Sequence, residues 1–304
     1  IGTAYASMPT LLTFVYPGQE AKMLVIGLFP LMVWGLHGII ATGHWAHVLL
    51  LSAGVGAAVY TPHLQMLYYS LIGLGLLFLV ETTARALKER DSRWVLRRYA
   101  LSAGAILLGL TIGSVGFVPQ YYYTKTESRR AGEDGEGVGI DYAQSWSLHP
   151  EEIASLVVPE FAHFDTQNSH SYWGRNIFKL NSEYFGMVPL FFACVGLGTI
   201  RKRRWALAFV VLLLFSVTFS LGPHTPVHRL CYEFVPGMRV LRAPGMIAFL
   251  FAFSACGLAA FGVERILYAS SPQPVLLKRL TVGAAIAVIV LLSSAVFPRI
   301  WTES

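Results

Sequence analysis

Eight apolar runs, at 23–40, 46–60, 64–80, 100–118, 184–200, 205–221, 246–268 and 280–297, constrain this 304-residue chain more than any other feature. About 20 apolar residues at a rise of about 1.5 Å each cross the roughly 30 Å of a bilayer's hydrocarbon. The run at 46–60 is short, and it spans by tilting little or by borrowing flanking residues. Lipid offers no partner to backbone N–H and C=O groups, so such runs close their hydrogen bonds internally as helices. Composition agrees, with 55% hydrophobic and 13% charged residues against about 25% charged in soluble domains. The expectation is an all-α membrane protein of about eight transmembrane helices with a mixed, mostly helical and irregular extracytoplasmic cap.

Charge orients the runs. Arg85, Lys88, Arg90, Arg93, Arg97 and Arg98 lie between the third and fourth, Arg201-Lys202-Arg203-Arg204 between the fifth and sixth, and Arg265, Lys278 and Arg279 between the seventh and eighth. Eight spans put all three clusters on one side, which the positive-inside rule makes cytoplasmic. The same placement accounts for the net charge of +6 without nucleic acid. The chain then divides into a first bundle of four spans (1–118), a cap (119–183) and a second bundle of four spans (184–304) with a short interfacial helix near 226–235. The expected location is the bacterial cytoplasmic membrane, multi-pass, with 119–183 outside.

The outer pieces are the start of the chain, the Thr61-Pro62-His63 turn, the cap and the segment 222–243. In the cap, Pro150 opens a helix, Glu151 and Glu152 suit its positive end, and Ile153, Leu156 and Val157 form an apolar face before Pro159. That pattern predicts a short helix on the membrane surface. The run 130–139, mostly charges and glycines, reads as a turn. In the last piece, Thr225 caps, Pro226 starts, and Val227, Leu230, Cys231 and Phe234 form a stripe. Cys194, Cys231 and Cys256 have no CxxC spacing and read as small packing residues.

Candidate chemistry collects on the same outer pieces. Glu20 and Lys22, two residues apart ahead of the first span, suit a polar head group, or pair with each other at the interface. His63 and Gln65 stand at the mouth of the third span, suited to phosphate or sugar hydroxyls, or to an ordinary interfacial belt. Tyr172 and Trp173 beside Arg175 offer rings for a sugar and a guanidinium for an anion, and Glu160, Asp165 and Glu183 are acids available for proton transfer. The alternative is that this segment packs the cap onto the span mouths. His224 and His228 have the spacing of a metal pair, but Pro226 falls between them and no third ligand has a readable spacing. Arg239 and Arg242 stand at the membrane boundary, where an Arg snorkels or pairs with lipid phosphate. No metal site and no cofactor is evident in the sequence, and a divalent metal stays an open but unsupported alternative.

SWSLHPEEIASLVVPEF from Ser145, YWGRNIFKLNSEYFG from Tyr172, LGPHTPVHRLCYEFVPG from Leu221 and VLRAPG from Val240 resemble motifs of the YfhO-like bacterial membrane proteins. TPHLQMLYY from Thr61 is similar to that family's His-containing span mouth. Such proteins resemble GT-C glycosyltransferases, which implies transfer of a sugar from a polyprenyl-phosphate carrier to a cell-envelope acceptor on the outer face. Membrane lipid, the lipid-linked sugar and an envelope polymer are the partners so implied. The resemblance also implies a catalytic acid in the first external loop. Ile1 opens the chain without Met, so the expectation is a fragment lacking its N-terminal spans, with the acid upstream and Glu20 only a weak stand-in. A non-enzymatic envelope scaffold, or a lipid or polymer transporter, is the alternative. A coupled transporter needs ionisable residues deep in its spans, and these spans are nearly free of charge.

Overall fold

The computed structural model describes residues 2–15, 17–61, 63–89, 91–127, 139–159, 161–163, 172–176, 179, 182–268 and 282–283. The eighth apolar run, the turn expected at 130–138, Glu160 and Asp165 lie outside the described residues, apart from 282–283 in the run.

Among the described residues the fold is all-helical, without a strand. The principal helices are α1 (Glu20–Ala41), α2 (Trp45–Tyr60), α3 (Leu64–Glu89), α4 (Ser92–Ile112), α5 (Ser114–Thr126), α6 (Met187–Gly196), α7 (Arg204–Ser220), α8 (Pro226–Phe234) and α9 (Ala248–Leu267). Among the described residues, four helical segments are long and apolar enough to cross a membrane: Glu20–Ala41, Leu64–Leu87, Ser92–Ile112 and Pro244–Leu267. Trp45–Tyr60, Met187–Thr199 and Arg204–Ser220 are apolar but shorter.

Two boundaries differ from the hydropathy reading. The third run continues as helix to Glu89, because its polar end is still good helix former. The fourth starts at Ser92, where the Asp91 carboxylate accepts from the Trp94 N–H at 3.0 Å, and it breaks at Gly113 before continuing as α5.

α1 buries Val25, Ile26, Phe29, Met32, Val33 and Leu36, a stripe at helical spacing. It packs on α2, which packs in turn on α4. α3 joins this layer to α7, α9 and α6, so one apolar core runs through both halves. Close crossings rest on glycine. A Cβ on Gly196 would lie 2.0 Å from the Leu258 carbonyl, and one on Gly262 would lie 1.9 Å from that of Phe192, so α6 and α9 touch backbone to backbone. Cys256 is buried, whereas Cys194 is exposed.

The N-terminal ends of α1, α3 and α9 and the C-terminal end of α7 gather at one end of the bundle, with the described part of 139–186 laid over them. α1 is 22 residues long, so this end stands about 33 Å from the Thr42–His44 turn at the other.

Candidate functional site

At the gathered end lies a cavity of about 250 Å³, walled by Lys22 of α1, Trp146 and Ser147 of the overlying segment, Lys179 and Glu183, and Arg242 ahead of α9. This is below the roughly 300–1,000 Å³ of pockets that enclose a whole drug-sized ligand. It suits the head of a ligand whose remainder lies outside.

The wall is assembled around Glu152. Pro150 starts a 3₁₀-helix, Pro150–Leu156, and Glu152 at its third position reaches back to accept from the His149 N–H at 3.1 Å. Glu152 is fully buried, while Ile153 is 37% exposed. The segment is therefore not an apolar-faced surface helix, as its sequence pattern suggests, but turns a carboxylate inward. That carboxylate also accepts from the Tyr172 hydroxyl at 2.8 Å, from Lys179 Nζ at 2.8 Å and from Asn176 Nδ2 at 3.4 Å. Lys179 Nζ lies 2.8 Å from Glu183 as well, so one ammonium bridges two carboxylates. Burial opposes the Lys179 charge, but Glu183 and Glu152 outweigh it and hold this group above the ordinary lysine range. Burial pushes the Tyr172 hydroxyl up to about 12, against the pull of the Asn176 N–H and Lys179.

The opposite wall is cationic and differently held. Arg242 Nη1 donates to the Tyr142 hydroxyl at 2.6 Å, and its guanidinium lies 5.0 Å from the centre of the Trp146 ring. Lys22 Nζ stands 5.1 Å from the centre of the Phe14 ring. Among the described residues neither cation has a carboxylate partner. The main chain of this wall is held in the left-handed region at two non-glycine residues, Trp146 (φ 55°) and Ala243 (φ 56°). Leu148 N–H donates to the Ser220 carbonyl at 2.8 Å, tying the overlying segment to the end of α7. Two glycines allow that closeness: a Cβ on Gly245 would lie 2.9 Å from the Trp146 carbonyl, and one on Gly222 1.9 Å from Ser147 Oγ.

Of the residues that the sequence singles out, Lys22, Glu183 and Arg242 line the cavity. Gln65 and Tyr172 act one layer behind. Gln65 Nε2 donates to the Arg242 carbonyl, which fixes the Arg242 backbone from the first turn of α3, and Tyr172 donates to Glu152. The other candidates stand off the wall. Glu20 is exposed, and His63 Nδ1 accepts from the Met66 N–H at the start of α3. Trp173 donates to the Phe161 carbonyl at 2.8 Å, Arg175 pairs with Glu151, and Arg239 lies over the Tyr232 ring. His224 Nε2 meets His149 Nδ1 at 3.1 Å, whereas His228 is buried against Phe219, so the two histidines four apart face different neighbours. Among the described residues no group of three His, Cys, Asp or Glu gathers as a metal site. In α8 the Thr225 hydroxyl does not cap the helix but donates to the Thr218 carbonyl. Leu230 and Phe234 of its stripe face outward, 51% and 75% exposed.

Sequence reasoning missed Lys179, Asn176 and Tyr142, and read Glu152 only as an acid at a helix end. The one readable signal was the spacing of four between Lys179 and Glu183.

Fold and site together define an all-helical protein with membrane-length apolar helices and a charged, headgroup-sized cavity at one end. No family model, curated protein or solved structure matches the chain.

Proposed function

We propose that the cavity binds the phosphate head of a polyprenyl-phosphate-linked sugar, and that the protein transfers this sugar to a cell-envelope acceptor on the outer face of the bacterial cytoplasmic membrane. In this reading the shorter apolar helices and 280–297 also span, giving eight spans, and 119–183 is an extracytoplasmic cap. The observation that carries it is the pair Lys22 and Arg242 on the cavity wall without a carboxylate partner among the described residues. Lys22, Arg242 and Lys179 against Glu152 and Glu183 leave one positive charge. That excess matches the single negative charge of a sugar phosphodiester, and cations that face no carboxylate among the described residues can meet it.

The acceptor hydroxyl oxygen attacks the anomeric carbon as the bond from that carbon to the phosphate oxygen breaks. The leaving polyprenyl phosphate keeps the electron pair, and Arg242 and Lys22 offset its growing charge. The acceptor proton goes to a carboxylate, and Glu183 is the carboxylate on the cavity wall among the described residues. Gln65 keeps Arg242 in place through its carbonyl.

The test is Arg242→Ala in membranes supplied with polyprenyl-phosphate sugar. Turnover is expected to fall about 100-fold, the size of losing one charge-stabilising donor, with expression unchanged. In parallel, undecaprenyl phosphate binding to the purified protein is expected to weaken about tenfold. Normal turnover and binding in Arg242→Ala would sink the proposal. Normal turnover with weakened binding assigns Arg242 to binding alone, and weakened binding with no turnover in the wild type favours a lipid-handling scaffold.

A further inference from the structure

The opposite end of the bundle holds a buried cation with unmet hydrogen-bond donors. Arg98, one to two turns into α4, is 7% exposed. Its Nε and Nη1 are enclosed and have no hydrogen-bond acceptor. The guanidinium lies against the turn after α1, where Gly43 takes φ +69° and a Cβ would stand 1.4 Å from Nη1. Glycine there leaves the space that the guanidinium fills. The C-terminal end of α1 favours a positive charge nearby, but no backbone or side-chain oxygen accepts from the enclosed donors.

The same corner is built to carry positive charge. The Trp94 ring takes two guanidiniums, Arg85 of α3 at 4.1 Å from its centre and Arg98 at 5.5 Å. Arg97 is exposed next in sequence, and His44 and His47 begin α2 close by. The buried carboxylate Glu81 stands one turn before Arg85, lies near Arg85 and Arg204, and leaves its Oε2 enclosed without a partner; among the described residues no ion pair joins it to Arg98. Asp91 is occupied by the Trp94 N–H. A buried guanidinium with unmet donors costs free energy unless an acceptor with several oxygens meets it. Phosphate has that shape and charge.

We propose that Arg98, at the Gly43 turn beside the Trp94 ring, forms a binding site for a phosphate group, about 33 Å from the cavity. It is a separate site from the cavity and does not depend on the function proposed for it. The phosphate comes either from a lipid headgroup or from a soluble anion, and two probes distinguish these sources. Purified protein is incubated with dioleoyl-phosphatidylglycerol, with dioleoyl-phosphatidylcholine or with inorganic phosphate. Retained ligand is read by native mass spectrometry, and the melting temperature is followed alongside. In the wild type, phosphatidylglycerol is expected to be retained and to raise the melting temperature. Arg98→Gln is expected to weaken that retention about tenfold, the loss of a charge-assisted contact. The exposed neighbour Arg93→Gln is expected to retain the wild-type response. A response to inorganic phosphate with the same dependence on Arg98 assigns the site to a soluble anion. Should Arg98→Gln not fold, Arg98→Lys keeps the charge, loses the planar fork, and is expected to weaken retention in the same direction. No response of the wild type to either phosphate probe overturns the proposal, and so does equal retention by the Arg98 variants.

Discussion

Lys179 and Arg98 are both buried cations, 5% and 7% exposed, at opposite ends of one bundle. Lys179 sits 2.8 Å from each of two carboxylates, one of which is itself held by a tyrosine, an amide and a backbone N–H. Arg98 has two enclosed nitrogens and no acceptor. Lys179, a cation in a complete network, belongs to the framework, because its charge is already met by two carboxylates. A buried charge with unmet donors still has hydrogen bonds to offer an anion. The cavity wall repeats the distinction at short range, with Lys179 satisfied and Lys22 and Arg242 lacking a carboxylate partner among the described residues.

The comparison breaks most sharply at Lys179. Lys179→Met leaves Glu152 and Glu183 buried without their cation and is expected to cost about 3–5 kcal/mol in chemical denaturation. Replacing all three residues by apolar side chains of similar volume is expected to recover most of that loss. If the triple variant is as unstable as the single one, compensation among the charges is not what the network supplies.

The buried His228 ring gives a second test. Burial pushes it down to about 4, and its Nδ1 has no partner. The unfolded chain takes up this proton near pH 6.5, whereas the folded chain resists it until about pH 4. Stability therefore falls as pH drops through that window, by up to about 3 kcal/mol. His228→Phe is expected to flatten that part of the pH profile. An unchanged slope in the variant assigns the acid sensitivity to other groups.

Gly222→Ala places a methyl group on a residue at φ +51° and 1.9 Å from Ser147 Oγ. A loss of about 1–3 kcal/mol is expected, with weaker polyprenyl phosphate binding because Ser147 and Trp146 shift on the cavity wall. Wild-type binding in this variant would separate the wall's backbone geometry from its ligand.

Arg98→Met, in detergent without phospholipid or phosphate, sharpens the contrast with Lys179. Removing a cation with unmet donors is expected to change stability by less than about 1 kcal/mol, or to raise it. The smallest effect belongs to Arg175, whose side chain is 65% exposed and pairs with Glu151 outside the cavity. Arg175→Ala is expected to change stability by about 0–1 kcal/mol and to leave binding unaltered.

Much of the fold was legible before any coordinates. The apolar runs up to residue 268 mark the helices, because hydropathy and period are local properties of a segment. Pro226 starts α8 where proline is tolerated at a helix's first turn. Lys22, Glu183 and Arg242 stood out as polar residues beside apolar runs, and all three reach the cavity. Glu152 did not stand out, because in sequence it is one of two acids after a proline, suited to the positive end of a helix. Its burial depends on Lys179, Tyr172 and Asn176, which are 20 to 27 residues away. His224 and His228 show the reverse: a spacing of four suggested a pair, and the turn at Pro226 sends one ring to His149 and the other to Phe219.

The sequence by itself determined the helical class and where the polar segments fall, since both follow from transferring each stretch out of water. Which charges are paired was decided only by tertiary structure. An ion pair needs two groups within a few ångströms, and that distance is set by how separate segments fold over one another. Lys179 meets its carboxylates in this way, Arg242 is held by Gln65 from 177 positions away, and Arg98 is enclosed by the Gly43 turn with no oxygen to accept from its Nε or Nη1.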